Sequence, residues 1–231
     1  MKTSKIIFLI LIGTIAGIIL VALIDLRLNG RKDGDISADF RVKKLPLKLF
    51  KVLYITNSMN VTLVKNDSSF IEVTSLKDSI APKVNSTINQ DTLRISDFEK
   101  VTHQNASIRI YTGDSLCNIN LINTNLNIEH FTFKKLAMNL DQSSVWFNQD
   151  EGVKSRINIL NISAKNHSEV NANRFTVDSM GISLQHSEAN LEFTSKKLTG
   201  LLSDSSRIQA RQPEEIWLKK DATSKVNIND Y

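Results

Sequence analysis

Polar and apolar residues follow three different rhythms along these 231 residues. From Ile6 to Ile24 there is no charge at all over 19 positions. As a helix this run is about 28 Å long, enough to span the roughly 30 Å hydrocarbon layer of a bilayer. From Asp25 to Lys48 the chain is charged and irregular, with no sustained period, and reads as a tether. From Phe50 onward apolar and polar residues alternate with period two, the sign of half-buried strands. Strands are predicted at Phe50 to Thr56, Asn60 to Val64, Phe70 to Thr74, Lys83-Val84, Thr92 to Ser96 and Ser107 to Tyr111, separated by Asn, Ser and Asp turns.

The second half adds a longer period. Six times a small polar doublet ending in Ser or Thr is followed by polar, apolar, polar, apolar. The doublets are Asn123-Thr124, Gln142-Ser143, His167-Ser168, His186-Ser187, Ser205-Ser206 and Thr223-Ser224. Their hydroxyl residues lie 19, 25, 19, 19 and 18 positions apart. A fixed period of that length predicts a stacked solenoid. The long interval is explained by an insertion between Gln149 and Arg156, the most charged stretch of the array.

Aligned on their corners, the copies give two apolar rows. One is Leu126, Val145, Val170, Ala189, Ile208 and Val226; the other is Ile128, Phe147, Ala172, Leu191, Ala210 and Ile228. On parallel strands about 4.8 Å apart such rows become continuous core ladders. The interleaved column, Asn127, Trp146, Asn171, Asn190, Gln209 and Asn227, then faces outward, where stacked amides can bond along the axis. An earlier strand recurs in each copy, at Ile119 to Leu121, Met138 to Leu140, Ile162 to Ala164, Ile182 to Leu184 and Ile216 to Leu218, so each unit is read as two strands. An antiparallel sandwich also fits strands of this length, but gives no reason for a Ser/Thr corner at constant spacing. The predicted fold is all-β, a parallel β-helix or solenoid of rungs of about 19 residues over 49–231, behind a short flank (1–5), a transmembrane helix (6–24) and the tether (25–48).

Composition changes this picture little. The formal charge of +5 falls to +3 without Lys2 and Lys5, which flank the apolar segment. The remaining charges are interleaved, which argues against a nucleic-acid partner. The apolar run is longer than a usual signal-peptide core and lacks a small-x-small site before Asp25, so an uncleaved anchor fits better than a cleaved signal. Basic residues nearly balance across it, so charge does not fix its orientation. Export of the body is expected from its Asn/Ser/Thr-rich strands. Cys117 is the only cysteine, which excludes an intrachain disulfide, and its alternating position before Ile119 and Leu121 predicts a small core residue. Sequons stand at Asn60, Asn66, Asn85, Asn105, Asn161 and Asn166.

The opening strands, Phe50 to Ile55, Asn60 to Val64, Phe70 to Val73 and Leu93 to Ser96, with the short rungs and Ser-rich corners after them, resemble the bacterial family named "putative auto-transporter adhesin, head GIN domain", a DUF2807-type domain. The resemblance covers about Phe50 to Ile228. It implies an exported β-helix body with no established enzymatic activity. The chain departs from the family's Gly-Ser-Ser corners, reading His-Ser-Glu, Asp-Ser-Ser or Thr-Ser-Lys instead, and has only eight glycines.

Candidate chemistry is sparse. His167 and His186 are predicted to share a column of adjacent rungs, with Glu169 and Glu188 two residues on, a strip that could hold a divalent metal. Two exposed corners that happen to share a triplet explain it as well. Asp141 and Asp204 are predicted to share a column, separated by Asn166 and Gln185, which leaves no adjacent acid pair for glycosidic chemistry. Asp33, Asp35 and Asp39 lie in the tether. No Gly-x-Ser-x-Gly elbow, phosphate loop or metal-spaced Cys/His set occurs. Trp146 interrupts the outward Asn column and is a candidate contact for a glycan or an envelope protein, alongside His167 and His186. The expectation is a non-enzymatic, membrane-anchored envelope module for adhesion, binding or structure, requiring no cofactor. The alternatives are a polysaccharide-active lyase or hydrolase on the same scaffold, and a cell-envelope sensor or accessory subunit whose activity lies in a neighbouring protein.

Overall fold

The computed structural model describes residues 13, 19, 40–76, 84–96, 98, 106–148 and 155–229. The chain divides into Met1–Phe40 and Arg41–Tyr231. In the first unit Gly13 and Ile19 are helical, and the predicted transmembrane segment 6–24 otherwise lies outside the described residues. Among the described residues no helix is long and apolar enough to cross a membrane.

The body is all-β. Its strands are β1 (Phe40–Pro46), β2 (Val52–Lys65), β3 (Phe70–Leu76), β4 (Asn85–Asn89), β5 (Thr92–Ser96), β6 (Ser107–Thr112), β7 (Asn118–Glu129), β8 (Thr132–Asp141), β9 (Ser144–Asn148), β10 (Arg156–Lys165), β11 (Glu169–Gln185), β12 (Glu188–Ser203), β13 (Arg207–Arg211), β14 (Glu215–Lys220) and β15 (Lys225–Asn229). From β7 to β15 like residues stack in parallel register. Leu126 pairs with Val145, Val145 with Val170, Val170 with Ala189, Ala189 with Ile208 and Ile208 with Val226. The second row follows one pleat later and points the same way, and both are buried until the last rung. These are the two ladders expected from the period.

The Ser/Thr corner proves to be a ladder of its own. Thr124, Ser143, Ser168, Ser187, Ser206 and Ser224 are all buried. Each hydroxyl oxygen from Ser143 to Ser224 accepts the backbone N–H of the corner residue one rung before it, at 3.1–3.2 Å. The Thr124 hydroxyl continues the series to the Ser58 amide at 3.4 Å. Most of these hydroxyls also donate to a carbonyl two or three residues back, such as Ser187 to Gln185 at 2.9 Å. A buried amide without a partner is costly, so a small hydroxyl at each corner solves the turn. The residue before it adopts positive φ, at Asn57, Asn123, Gln142, His167, His186 and Ser205.

Each rung has three sides, not two. Between the strand carrying Leu126 and Ile128 and the one carrying Leu136, Met138 and Leu140, a short inward pair closes the coil: Phe131 with Phe133, Ser155 with Ile157, Phe175 with Val177, Phe193 with Ser195. Phe131, Phe147, Phe175 and Phe193 form an aromatic stack, with ring centroids 4.5–5.4 Å apart. Such pairs add about 0.5–1.5 kcal/mol each beyond burial. Two successive outward residues turn the next corner, as at Lys134-Lys135 and Lys196-Lys197.

Several other expectations are corrected. Leu218, not Ile216, stands in the column of Ile119, Met138, Ile162 and Ile182, because Leu218 pairs with Gly200 and Gly200 with Ile182. A Cβ on Gly200 would sit 2.1 Å from the Ile182 carbonyl oxygen, so this rung lacks a side chain where the pattern calls for one. Strand β1 lies within the stretch read as tether. It is an outer edge strand, mostly exposed, and so carries the composition of a linker. Val84 precedes β4 and is in no strand, and Lys83 lies outside the described residues. Cys117 is exposed, because Leu116 takes the buried slot before the strand begins. In the outer column Asn127 accepts from the Asn148 amide of the next rung at 3.4 Å, whereas Asn171 donates to Glu169 in its own rung; a further axial amide bond runs from Asn139 to Asn120.

The first part of the body does not stack in chain order. β2 lies between β7 on one side and β5 with β6 on the other, all parallel. β3 then pairs antiparallel with β6, and β4 antiparallel with β5. These reversed strands close the N-terminal end of the coil. At the other end the last rung, β14 and β15, pairs only inward among the described residues.

Candidate binding face

The alternation that buries Met138 and Leu140 turns Ala137 and Asn139 outward, and the stacking multiplies that choice along the axis. One outward column runs in unbroken register through Arg94, Tyr54, Asn120, Asn139, Ser163, Ser183, Leu201 and Lys219. Beside it runs a second, Asn118, Ala137, Asn161, Gly181, Thr199 and Trp217. Small side chains in the middle leave a trough. It comprises three adjoining depressions of about 410, 350 and 410 Å³, the first two sharing Tyr54 and the last two sharing Asn139 and Ser163. Seven rungs from β5 to β12 span about 29 Å at roughly 4.8 Å each.

Amide and hydroxyl groups of Asn120, Asn139, Ser163, Ser183 and Thr199 alternate with apolar surface in the lining, most apolar around Ala137, Gly181 and Leu201, with larger groups at the ends. Arg94 lies over the Tyr54 ring at 4.8 Å. At the far end Leu201 is 52% and Trp217 70% exposed. Asp141 is the carboxylate of the trough. It accepts a hydrogen bond from Asn166 at 2.7 Å and lies 3.1 Å from Lys165, which together hold its carboxyl below the usual carboxylate range. It does not share a column with Asp204: Asp141 registers with Lys165, Lys165 with Gln185 and Gln185 with Ser203. Asn166 and Asp204 are extra residues, because their corners hold two left-handed positions where Gln142 and His186 hold one.

The residues singled out from the sequence lie elsewhere. Trp146 is half-buried on the neighbouring side, in register with Asn127 and Asn171, and most of the insertion after it (149–154) lies outside the described residues. His167 and His186 do meet, with ring centroids 4.1 Å apart at the corner between the two sides. Both have positive φ, a conformation His tolerates better than most residues. Glu169 accepts from Asn171, and Glu188 lies 3.6 Å from Arg207. Among the described residues no three His, Cys, Asp or Glu side chains gather as a metal site. Sequence reasoning missed Trp217 and the trough. The signal was present in the repeat, as small outward residues in every copy of the earlier strand, ending on a tryptophan.

These features define a parallel β-solenoid with an antiparallel cap at one end and a trough of small polar and apolar groups along one side. Among solved structures the chain is similar to one described as a "putative adhesin" from Bacteroides fragilis, at TM-score 0.59 and 12% identity, over 83% of this chain and 97% of that one. A "putative lipid binding protein" from Parabacteroides distasonis overlaps 83% of this chain and 97% of its own at TM-score 0.48 and 13% identity. A "putative adhesin" from Parabacteroides merdae does so over 83% and 96% at TM-score 0.44 and 11% identity. At 12% identity the likeness to the Bacteroides fragilis structure is one of fold. No family model and no curated protein matches the sequence.

Proposed function

We propose that this protein is a non-enzymatic binding module of the bacterial cell envelope, related to the head GIN adhesin-like domains, and that its trough takes an extended polar polymer, most simply a glycan strand. The observation that carries the reading is the unbroken outward column from Arg94 to Lys219, with its three adjoining depressions. A preformed groove of small side chains, polar and apolar, orders little on binding, which favours recognition of a long chain by many weak contacts. Export and anchoring through residues 6–24 place the solenoid outside the membrane in this reading. The fold shared with the Bacteroides fragilis protein supports it.

The test is retention on a panel of envelope and host polysaccharides, using the whole chain in detergent. Ser183→Arg fills the middle of the trough and is expected to weaken retention by at least about tenfold, or about 1.4 kcal/mol. Trp146→Ala, on the neighbouring side, is expected to leave retention unchanged. The reverse result moves the site to the Trp146 side. Release of reducing ends from any polysaccharide replaces a binding module with an enzyme.

A further inference from the structure

The last rung is finished differently from the first. At the N-terminal end the reversed strands β3 and β4 cover the coil. At the other end Ile216 is 36% exposed, whereas its column mates Leu136, Leu160, Met180 and Leu198 are buried. Val226 and Ile228 are likewise only partly buried, although Ile208 and Ala210 above them are buried. Strand β14 pairs with β12 alone among the described residues, so its outer edge offers unpaired backbone groups. Edges of this kind accept another strand unless charge or shape forbids it.

The sequence of this edge selects its partner. Glu214, Glu215, Ile216, Trp217, Leu218, Lys219 and Lys220 read as acid, acid, apolar, apolar, apolar, base, base. Laid antiparallel against itself about Trp217, the strand sets Glu214 opposite Lys220, Glu215 opposite Lys219 and Ile216 opposite Leu218. Opposite charges across an antiparallel pair stabilise it, and like charges destabilise it. A parallel, in-register pairing would set Glu against Glu and Lys against Lys. The charges are also free enough to serve. Glu215 has an exposed contact with Lys197 at 3.6 Å, and the Lys220 ammonium reaches the Asp221 carbonyl oxygen at 3.4 Å.

We propose that β14 is a homodimerisation edge, on which a second copy of this chain docks β14 to β14 in antiparallel register centred on Trp217. The arrangement is isologous, so it closes at two copies and does not propagate into a fibre. It joins the inward rows of the two coils through Ile216 and Leu218. It also sets the two Trp217 rings side by side on the outer face. The inference stands independently of what the trough binds.

The experiment is site-directed disulfide trapping of the full chain in detergent. Cys117→Ser removes the one native thiol, and Trp217→Cys places a single thiol on the proposed two-fold axis. Mild oxidation is expected to give a covalent dimer, whereas Leu201→Cys, one rung further in on the same face, is expected to give little. Adding Glu214→Lys and Glu215→Lys is expected to lower the trapped fraction by at least about tenfold, and then adding Lys219→Glu and Lys220→Glu to restore it. Every exchanged side chain is on the surface, and a native circular-dichroism melt of the intermediate variant shows that it is folded. Equal trapping at positions 201 and 217, no trapping at 217, or trapping indifferent to the charge exchange overturns the proposal.

Discussion

A hydroxyl at one position per rung does two jobs in this molecule. In the Ser187 corner the side chain accepts the Ser168 amide at 3.2 Å and donates to the Gln185 carbonyl at 2.9 Å, while the residue itself is buried. Alanine there deprives a buried N–H of its acceptor, which costs about 1–3 kcal/mol. Ser187→Ala is therefore expected to lower stability by that amount in urea denaturation, and Ser187→Thr by less, since Thr124 fills the equivalent place on its own rung. A loss within about 0.5 kcal/mol for alanine would show that water enters the corner and replaces the hydroxyl. The preceding His186 belongs to the same turn and, like His167, Asn123 and Gln142 at their own corners, has a left-handed backbone.

At the scale of the element, the final corner, between β14 and β15, is held by a carboxylate. Asp221 accepts hydrogen bonds from the amide of Ser224 at 2.8 Å, the amide of Asp204 at 2.7 Å, and the amide and hydroxyl of Thr223 at 3.1 and 3.0 Å. Hydrogen bonding by Ser224 above all, then by the Asp204 amide, holds its carboxyl well below the usual range. A carboxyl whose folded pKa is lowered binds fewer protons folded than unfolded. It contributes stability above the ordinary Asp value of about 3.9 and loses it as pH falls toward the folded value. Asp221→Asn is expected to melt earlier than the native chain at pH 7, with the gap closing below about pH 4. Thermal melts across that range check it, and a gap that persists in acid would sink the assignment.

The same scale shows why part of the fold was legible in the sequence and part was not. The Ser/Thr corners and the rows through Val145 and Phe147 could be read because each copy repeats both spacing and parity. The third side escaped because its markers, Phe131-Thr132, Phe175-Thr176 and Phe193-Thr194, are interrupted at Ser155 and Pro213 and displaced by the extra residue Arg174. The cap escaped because β2 pairs with strands on both sides that follow it in the chain, and local pattern carries no record of that order. Trp217 was passed over because only the stack shows that its column forms the floor of a trough.

For the whole molecule the deciding property is that each rung touches only its neighbours, so stability is nearly a sum of rung and interface terms. Removing residues 168–186, one full period, joins His167 to Ser187 and keeps a His-Ser corner. Every contact this creates is of a kind already present. Val145 would meet Ala189 in place of Val170, Phe147 would meet Leu191, Leu160 would meet Leu198 and Ala164 would meet Leu202. Gly200 would lie against Ile162, and so retain the isoleucine neighbour it now has in Ile182. The aromatic stack loses Phe175, and the trough loses Gly181 and Ser183, which shortens it by one rung of about 4.8 Å. The shortened chain is expected to keep a cooperative β-sheet melt by circular dichroism, at a modestly lower midpoint. Deleting half a period, residues 168–177, would instead bring outward residues into the inward rows and is expected to abolish the melt. If both deletions unfold the protein, the rungs form one indivisible core, and if both are tolerated, register does not govern the stack.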